Sequence, residues 1–291
     1  MPAIVLHLAP RDHTAVLAVL ATLVGAAVAL VPPVAGWLSD RARRRGGDRR
    51  RETAVALAVD VIAIGAMAFA LSTGAVAVAL VAATVAITAA QTIYQALLPE
   101  VVPREAWGTS AGVRGAFTLA GTVLGLLAAA LLSPQHALFA MVVAVSVAAV
   151  SLATIPRSPP SVPAPTRAVV RDRHDLWVTV VARGWIVLGM TLLNTYVLYF
   201  FSDVLHVHDA SLGTGMVAGA ALLGAIVSSI GAGKISDKLD RRVTVALSGV
   251  PMTLAALGFA LFPDVKLIFV YAALFGLGFG GVFAVGWALA L

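Results

Sequence analysis

Apolar stretches about twenty residues long, broken by short polar turns, run the length of the chain. Crossing a hydrocarbon core of about 30 Å as an α-helix takes roughly 20 apolar residues. Nine runs come near or above that length: 14–38, 54–71, 75–98, 107–132, 136–155, 176–201, 212–233, 243–262 and 267–291. None shows the period-2 alternation of a membrane barrel, and all are too long for its strands. The pattern predicts an all-α membrane protein, a bundle of spanning helices.

The breaks are not alike. Of the 20 lysines and arginines, all but Arg11 and Lys266 fall in alternate breaks, at 41–51, 104–114, 157–183 and 234–242. Basic residues mark the cytoplasmic side, so the first run is expected to cross from outside to inside in a multi-pass protein of the cell (inner) membrane. The stretch 157–165, R-S-P-P-S-V-P-A-P, reads as a semi-rigid linker. It divides the chain into an N-terminal half bundle at 1–155, a cytoplasmic linker at 156–175 and a C-terminal half bundle at 176–291. Pro32-Pro33 is expected to kink the first run.

Composition narrows the function. With 60% hydrophobic and 12% charged residues the chain is far from a soluble domain, which carries about 25% charge. It has no cysteine, which rules out disulfides and thiolate chemistry. The net charge of +6 comes from loop arginines with no interleaved aromatics, so no nucleic-acid partner is expected. No acids, histidines or nucleophiles converge, and no phosphate-binding glycine loop occurs. The chain is expected not to be an enzyme and to need no cofactor and no metal, with His206-x-His208-Asp209 read as a polar turn.

One short motif occurs twice. Gly36-Trp37-Leu38-Ser39-Asp40-Arg41 and Gly233-Lys234-Ile235-Ser236-Asp237-Lys238 each end an apolar run, and arginine pairs follow each. Both copies follow spans running in the same direction, with six spans between them, which points to a six-span unit present twice. Nine of twelve spans are then present, with one expected before Met1 and two after Leu291. The second copy, G-K-I-S-D-K-L-D-R-R, resembles the loop signature G-x-L-x-D-R-x-G-R-R of the major facilitator superfamily. The first copy departs from it by an insertion, Arg43-Arg44-Arg45-Gly46-Gly47, and the second puts Asp240 in place of glycine. The segment Tyr94-Gln95-Ala96-Leu97-Leu98-Pro99-Glu100-Val101-Val102-Pro103, with Gly108 after it, resembles cation-coupled sugar symporters, the glycoside-pentoside-hexuronide and sucrose carriers.

That resemblance implies a major facilitator-type bundle and alternating access, with a small-molecule substrate, a coupling cation (proton or sodium) and the lipid bilayer as partners. Drug and proton antiporters of the superfamily carry an arginine within the fourth helix and G-P-x-x-G-G in the fifth. Run 75–98 holds no charge and Gly121-Thr122-Val123-Leu124-Gly125 no proline, which favours uptake of a sugar-like solute. The alternatives are a multidrug efflux antiporter and a truncated, non-transporting membrane protein.

Candidate residues follow from both readings. Gly36, Asp40, Arg41, Gly233, Asp237, Arg241 and Arg242 form the gating loops, which in the resembled family latch the two halves; Asp40 and Asp237 can accept backbone N–H bonds at helix ends. Gln91, Tyr94 and Gln95 share a helix face at i, i+3 and i+4, and with Arg114, Thr191, Asn194 and Tyr196 they are the candidates to line a substrate cavity. Asp60 is the one acid deep within a run, costly there and therefore a candidate for cation coupling. Gly121 with Gly125 and Gly215 with Gly219, spaced by four, are expected to let helices approach closely.

Overall fold

The structure, a computed structural model, describes residues 13–155, 210–264 and 266–289, together with positions 177, 181, 184, 185, 188 and 189. The long helices are α1 (His13–Arg44), α2 (Arg49–Ala68), α3 (Thr73–Val101), α4 (Trp107–Leu131), α5 (Pro134–Ser151), α6 (Ala210–Ser236), α7 (Arg241–Leu261) and α8 (Ile268–Leu289). Single 3-10 turns lie at Arg104–Ala106 and Leu152–Thr154, and no strand occurs among the described residues. Eight of the nine expected runs are thus helices. Run 176–201 falls outside the described residues except for six isolated helical positions, and so do the linker 156–175 and His206 to Asp209.

Among the described residues, six helical segments are long and apolar enough to cross a membrane: Ala18–Arg44, Thr73–Val101, Pro134–Thr154, Gly213–Ser236, Arg241–Leu261 and Ile268–Gly286. Their outward faces carry exposed aliphatic side chains such as Leu30, Val78, Val143, Leu223 and Leu254, the surface expected to meet lipid. Helix α1 runs through both Pro32 and Pro33 and continues six residues past the apolar run. Arg41, Arg43 and Arg44 in its last turn meet the negative end of the helix dipole, which favours the extension. The first copy of the motif therefore lies inside a helix and not in a loop, a correction to the sequence expectation. In the second copy, Gly233 to Ser236 likewise belong to α6.

Two compact units are present, Met1–Val101 with Leu126–Ala164, and Val102–Gly125 with Pro165–Leu291. In the first, α2 packs on α3 and α5, and α1 packs on α3. Helix α2 buries Thr53, Leu57, Asp60, Ile64 and Met67, a stripe at helical spacing. Helix α3 meets it with Val76, Ala79, Ala83 and Ala90. Alanines at that spacing bring helices close where lipid supplies no hydrophobic drive to hold them. Ala63, Ile64, Met67, Val76, Ala79, Ala83 and Leu138 form one core cluster, and Leu57, Ala90 and Leu152 another. The Arg50 guanidinium donates to the Ile155 carbonyl at 2.7 Å, tying the start of α2 to the chain beyond α5.

In the second unit α8 packs against both α6 and α7. Its stretch Gly276-Leu277-Gly278-Phe279-Gly280-Gly281 places glycines against both neighbours. A Cβ at Gly276 or Gly280 would strike the Ala221 or Ala225 carbonyl of α6; one at Gly278 or Gly281 would strike Ser248 on α7. Each glycine costs a helix about 1 kcal/mol relative to alanine, a cost offset by backbone contact. The Ser229 hydroxyl adds a hydrogen bond to the Gly280 carbonyl at 3.1 Å. The expected glycine pairs act otherwise: a Cβ at Gly121, Gly125, Gly215 or Gly219 meets nothing within 4 Å. A spacing of four defines a helix face but not which neighbour, if any, comes to it.

Candidate functional site

At the first copy of the motif the chain turns sharply from α1 into α2. Gly46 adopts φ +85, a left-handed conformation that suits glycine. Asp48 caps α2, its carboxylate accepting from the Arg50 N–H at 3.0 Å. This cap delivers Arg49 inward, where it is 9% exposed. Its guanidinium donates to Asp40 Oδ1 at 2.5 Å and lies 3.3 Å from Glu100 Oε1. Arg43 lies 3.3 Å from Glu100 Oε2. Glu100, near the end of α3, thus stands between two arginines, and the ends of α1, α2 and α3 are joined by charge. Asp40 itself stays open to solvent, its side chain 60% exposed. Gly36 sits in ordinary packing, where a Cβ would come to 3.9 Å from Thr92 Cγ2. Arg41 lies over the Trp37 ring, 5.4 Å from its centroid.

The second copy holds a different partner. Asp237, just past α6, accepts from the Gly108 N–H at 2.6 Å through Oδ1. Through Oδ2 it accepts from the Thr109 N–H at 2.8 Å and the Thr109 hydroxyl at 2.5 Å. These two N–H groups belong to the first turn of α4, whose leading donors have no partner within the helix. A carboxylate there also meets the positive end of the helix dipole. Close packing sets the geometry: a Cβ at Gly233 would lie 2.5 Å from the Gly108 carbonyl oxygen and 2.8 Å from Gly112 Cα. Gly115 continues the seam toward Ser229, Phe283 and Ala284. Arg241, at the start of α7, lies 5.4 Å from the centroid of the Trp107 ring. Arg242 is exposed, and its N–H donates to Asp240 Oδ1 at 2.7 Å, so Asp240 caps α7.

The remaining candidates scatter. Asp60 is 2% exposed, on the α2 stripe that faces α3 and α5. On α3, Gln91 is exposed and Gln95 half-buried, while Tyr94 packs against the Leu57, Ala90 and Leu152 cluster. Arg114 is half-buried on α4. Thr191, Asn194 and Tyr196 lie outside the described residues. Sequence reasoning missed Arg49, Glu100, Asp48 and Thr109. One signal was available for the α4–α6 seam: Gly108, Gly112 and Gly115 repeat the spacing of the small residues Ser229, Gly233 and Ser236. Among the described residues no three metal-ligating side chains gather.

The chain belongs to the Major Facilitator Superfamily, whose family model matches residues 1–291. Members of that family are transporters, so this chain is a multi-pass membrane protein of the secondary transporter class, acting in a lipid bilayer on a small-molecule substrate. A search of curated proteins returned no match.

Proposed function

We propose that the chain transports by alternating access, with the Asp237 carboxylate on the α4 N-terminus as the latch of one state. The observation that carries this reading is the set of three hydrogen bonds from Gly108 and Thr109 to Asp237. Gly108, Thr109 and Asp237 lie in the same compact unit, the second; by the expected division of the chain α4 comes from 1–155 and Asp237 from 176–291, and on that division the bond is a latch between half bundles. Hydrogen bonds to a charged group contribute about 1.5–3 kcal/mol each, net of the water bonds they replace. A net latch of a few kcal/mol biases a two-state equilibrium strongly without freezing it, which a carrier cycle requires. The network of Asp40, Arg49, Glu100 and Arg43 sets the matching helix ends within the first unit.

The finer reading is cation-coupled uptake of a sugar-like solute across the cell (inner) membrane, with a proton or sodium as the coupling ion. The Tyr94–Pro103 segment supports it, as does the exposed amide of Gln91 on α3. Coupling is assigned to Asp60, a buried acid flanked on its helix stripe by Leu57, Ala63 and Ile64. The test is uptake of radiolabelled sucrose and simple glycosides into proteoliposomes under an imposed proton or sodium gradient. Wild type should accumulate sugar, and Asp237→Asn should lower turnover with half-saturation nearly unchanged. Asp60→Asn should keep sugar exchange while losing accumulation. Export of lipophilic cations with no sugar uptake would overturn symport and establish the efflux alternative.

A further inference from the structure

The seven arginines between Arg41 and Arg51 divide into two sets. Arg43, Arg49 and Arg50 are committed to the protein, through Glu100, Asp40 and the Ile155 carbonyl. Arg41, Arg44, Arg45 and Arg51 are exposed, and among the described residues no carboxylate pairs with any of them. Arg41 instead lies over Trp37, itself 54% exposed. Arg44 and Arg45 belong to the insertion that separates this copy from the superfamily signature.

The insertion is a built turn. Arg45 and Gly47 donate backbone N–H bonds to the Ala42 carbonyl at 2.9 Å, and Gly46 donates to Arg43 at 3.0 Å. Gly47 fits too closely for a side chain, since a Cβ there would lie 2.9 Å from the Ala42 oxygen. The turn therefore presents Arg44 and Arg45 from a fixed backbone. Depth points to what they meet. Tryptophan favours the boundary between hydrocarbon and headgroups. From Trp37 to Arg44 the helix rises about 10 Å at roughly 1.5 Å per residue, while the headgroup layer is roughly 5–8 Å thick on each side. With Trp37 at the boundary, Arg41 lies among the lipid phosphates and the turn at their outer edge, within reach of arginine side chains that bend back.

We propose that Arg41, Arg44, Arg45 and Arg51, with Trp37 against Arg41, bind the phosphate-bearing headgroup of an anionic phospholipid. Guanidinium groups match phosphate oxygens in paired geometry, and juxtamembrane basic clusters of this size bind anionic lipid. A topogenic signal needs the charge alone; it has no use for an ordered turn or for an indole under Arg41. The site stands apart from the transport reading. The second copy lacks the insertion, so the preference belongs to the first copy.

The experiment uses the purified full chain in phosphatidylcholine vesicles containing brominated phosphatidylglycerol or brominated phosphatidylcholine, which quench nearby tryptophan. The contribution of Trp37 is the difference from Trp37→Phe. Brominated phosphatidylglycerol is expected to quench Trp37 at mole fractions where the brominated phosphatidylcholine does not. Removing both arginines of the turn, Arg44→Gln with Arg45→Gln, should lower that preference about thirtyfold, roughly fivefold for each basic side chain at an anionic surface. Arg44→Lys with Arg45→Lys should keep most of it, which separates lost charge from lost fold. Equal quenching by the two lipids, an unchanged preference in the glutamine variant, or displacement of phosphatidylglycerol by millimolar inorganic phosphate would each overturn the proposal.

Discussion

Asp40 and Asp237 occupy the same place in two copies of one motif and hold unlike partners. Asp40, exposed, reaches back to Arg49, nine residues on, while Asp237 takes the first N–H groups of α4, more than a hundred residues away. Asp40 is part of a local charge cluster that sets the ends of α1, α2 and α3. Asp237 fixes a helix contributed by a distant segment. The difference lies in the surroundings of the acid: glycines on α4 and α6 let backbones touch beside Asp237, and the turn after Asp40 brings Arg49, at the start of α2, back to it. A repeated motif thus specifies the acid and leaves its role to the neighbours.

The largest effect should come from the glycine that opens each copy. Gly233→Ala forces a methyl group against the Gly108 carbonyl and the Gly112 backbone, neither of which can rotate away. Overpacking of this kind costs about 3 kcal/mol. Gly36→Ala adds a methyl that meets only Thr92 Cγ2 at an ordinary distance, so the helix preference for alanine should leave it stabilised by up to about 1 kcal/mol. Thermal unfolding of both variants in detergent checks the pair. Equal shifts would mean that the α4–α6 seam is no tighter than the packing at Gly36.

The span pattern was legible because the bilayer imposes its own thickness: every run within the described residues is a helix, with ends shifted by a few residues. The ends shifted because arginine is a good helix former and favours the helix C-terminus, so α1 absorbs the motif that was expected in a loop. Asp237 was legible as a helix-end acceptor, but its donors Gly108 and Thr109 were not, since a motif's spacing carries no information on which distant helix arrives. Glu100 stood in a quoted segment and was missed as a charge partner because its arginines lie more than fifty residues earlier. Gly121 and Gly125 looked like the packing glycines, yet Gly108, Gly112 and Gly115 carry the close contact on α4. Burial decides such questions, and only the fold supplies it.

A smaller effect separates the two acids. Asp237→Asn keeps the shape but gives up the charge and sets an amide N–H₂ against backbone donors, with an expected loss of about 2 kcal/mol. Asp40→Asn weakens one largely exposed ion pair, for which about 1 kcal/mol is an upper expectation. The sensitivity to salt should differ as well, because exposed pairs are screened and the part-buried Asp237 bonds much less so. Denaturation at low and high sodium chloride reads both quantities. A larger loss at Asp40 than at Asp237 would reverse the assignment of the latch.

The smallest effect tests whether an interaction common to both copies does different work in each. Arg41 over Trp37 and Arg241 over Trp107 have the same 5.4 Å separation, and each cation–π contact should contribute about 0.5–1 kcal/mol in a double-mutant cycle. The first pair is four residues apart on one helix, so losing it cannot release one segment from another. The second joins the start of α7 to the start of α4, beside the Asp237 bonds. Spin labels at the exposed positions Glu105 and Lys238 report the distance between these two segments by pulsed electron resonance. Arg241→Gln should broaden that distance distribution, and Arg41→Gln should leave it unchanged although the two contacts are alike in energy. An equal response to both substitutions would show that the contact at Trp107 contributes stability without holding α4 to its acid.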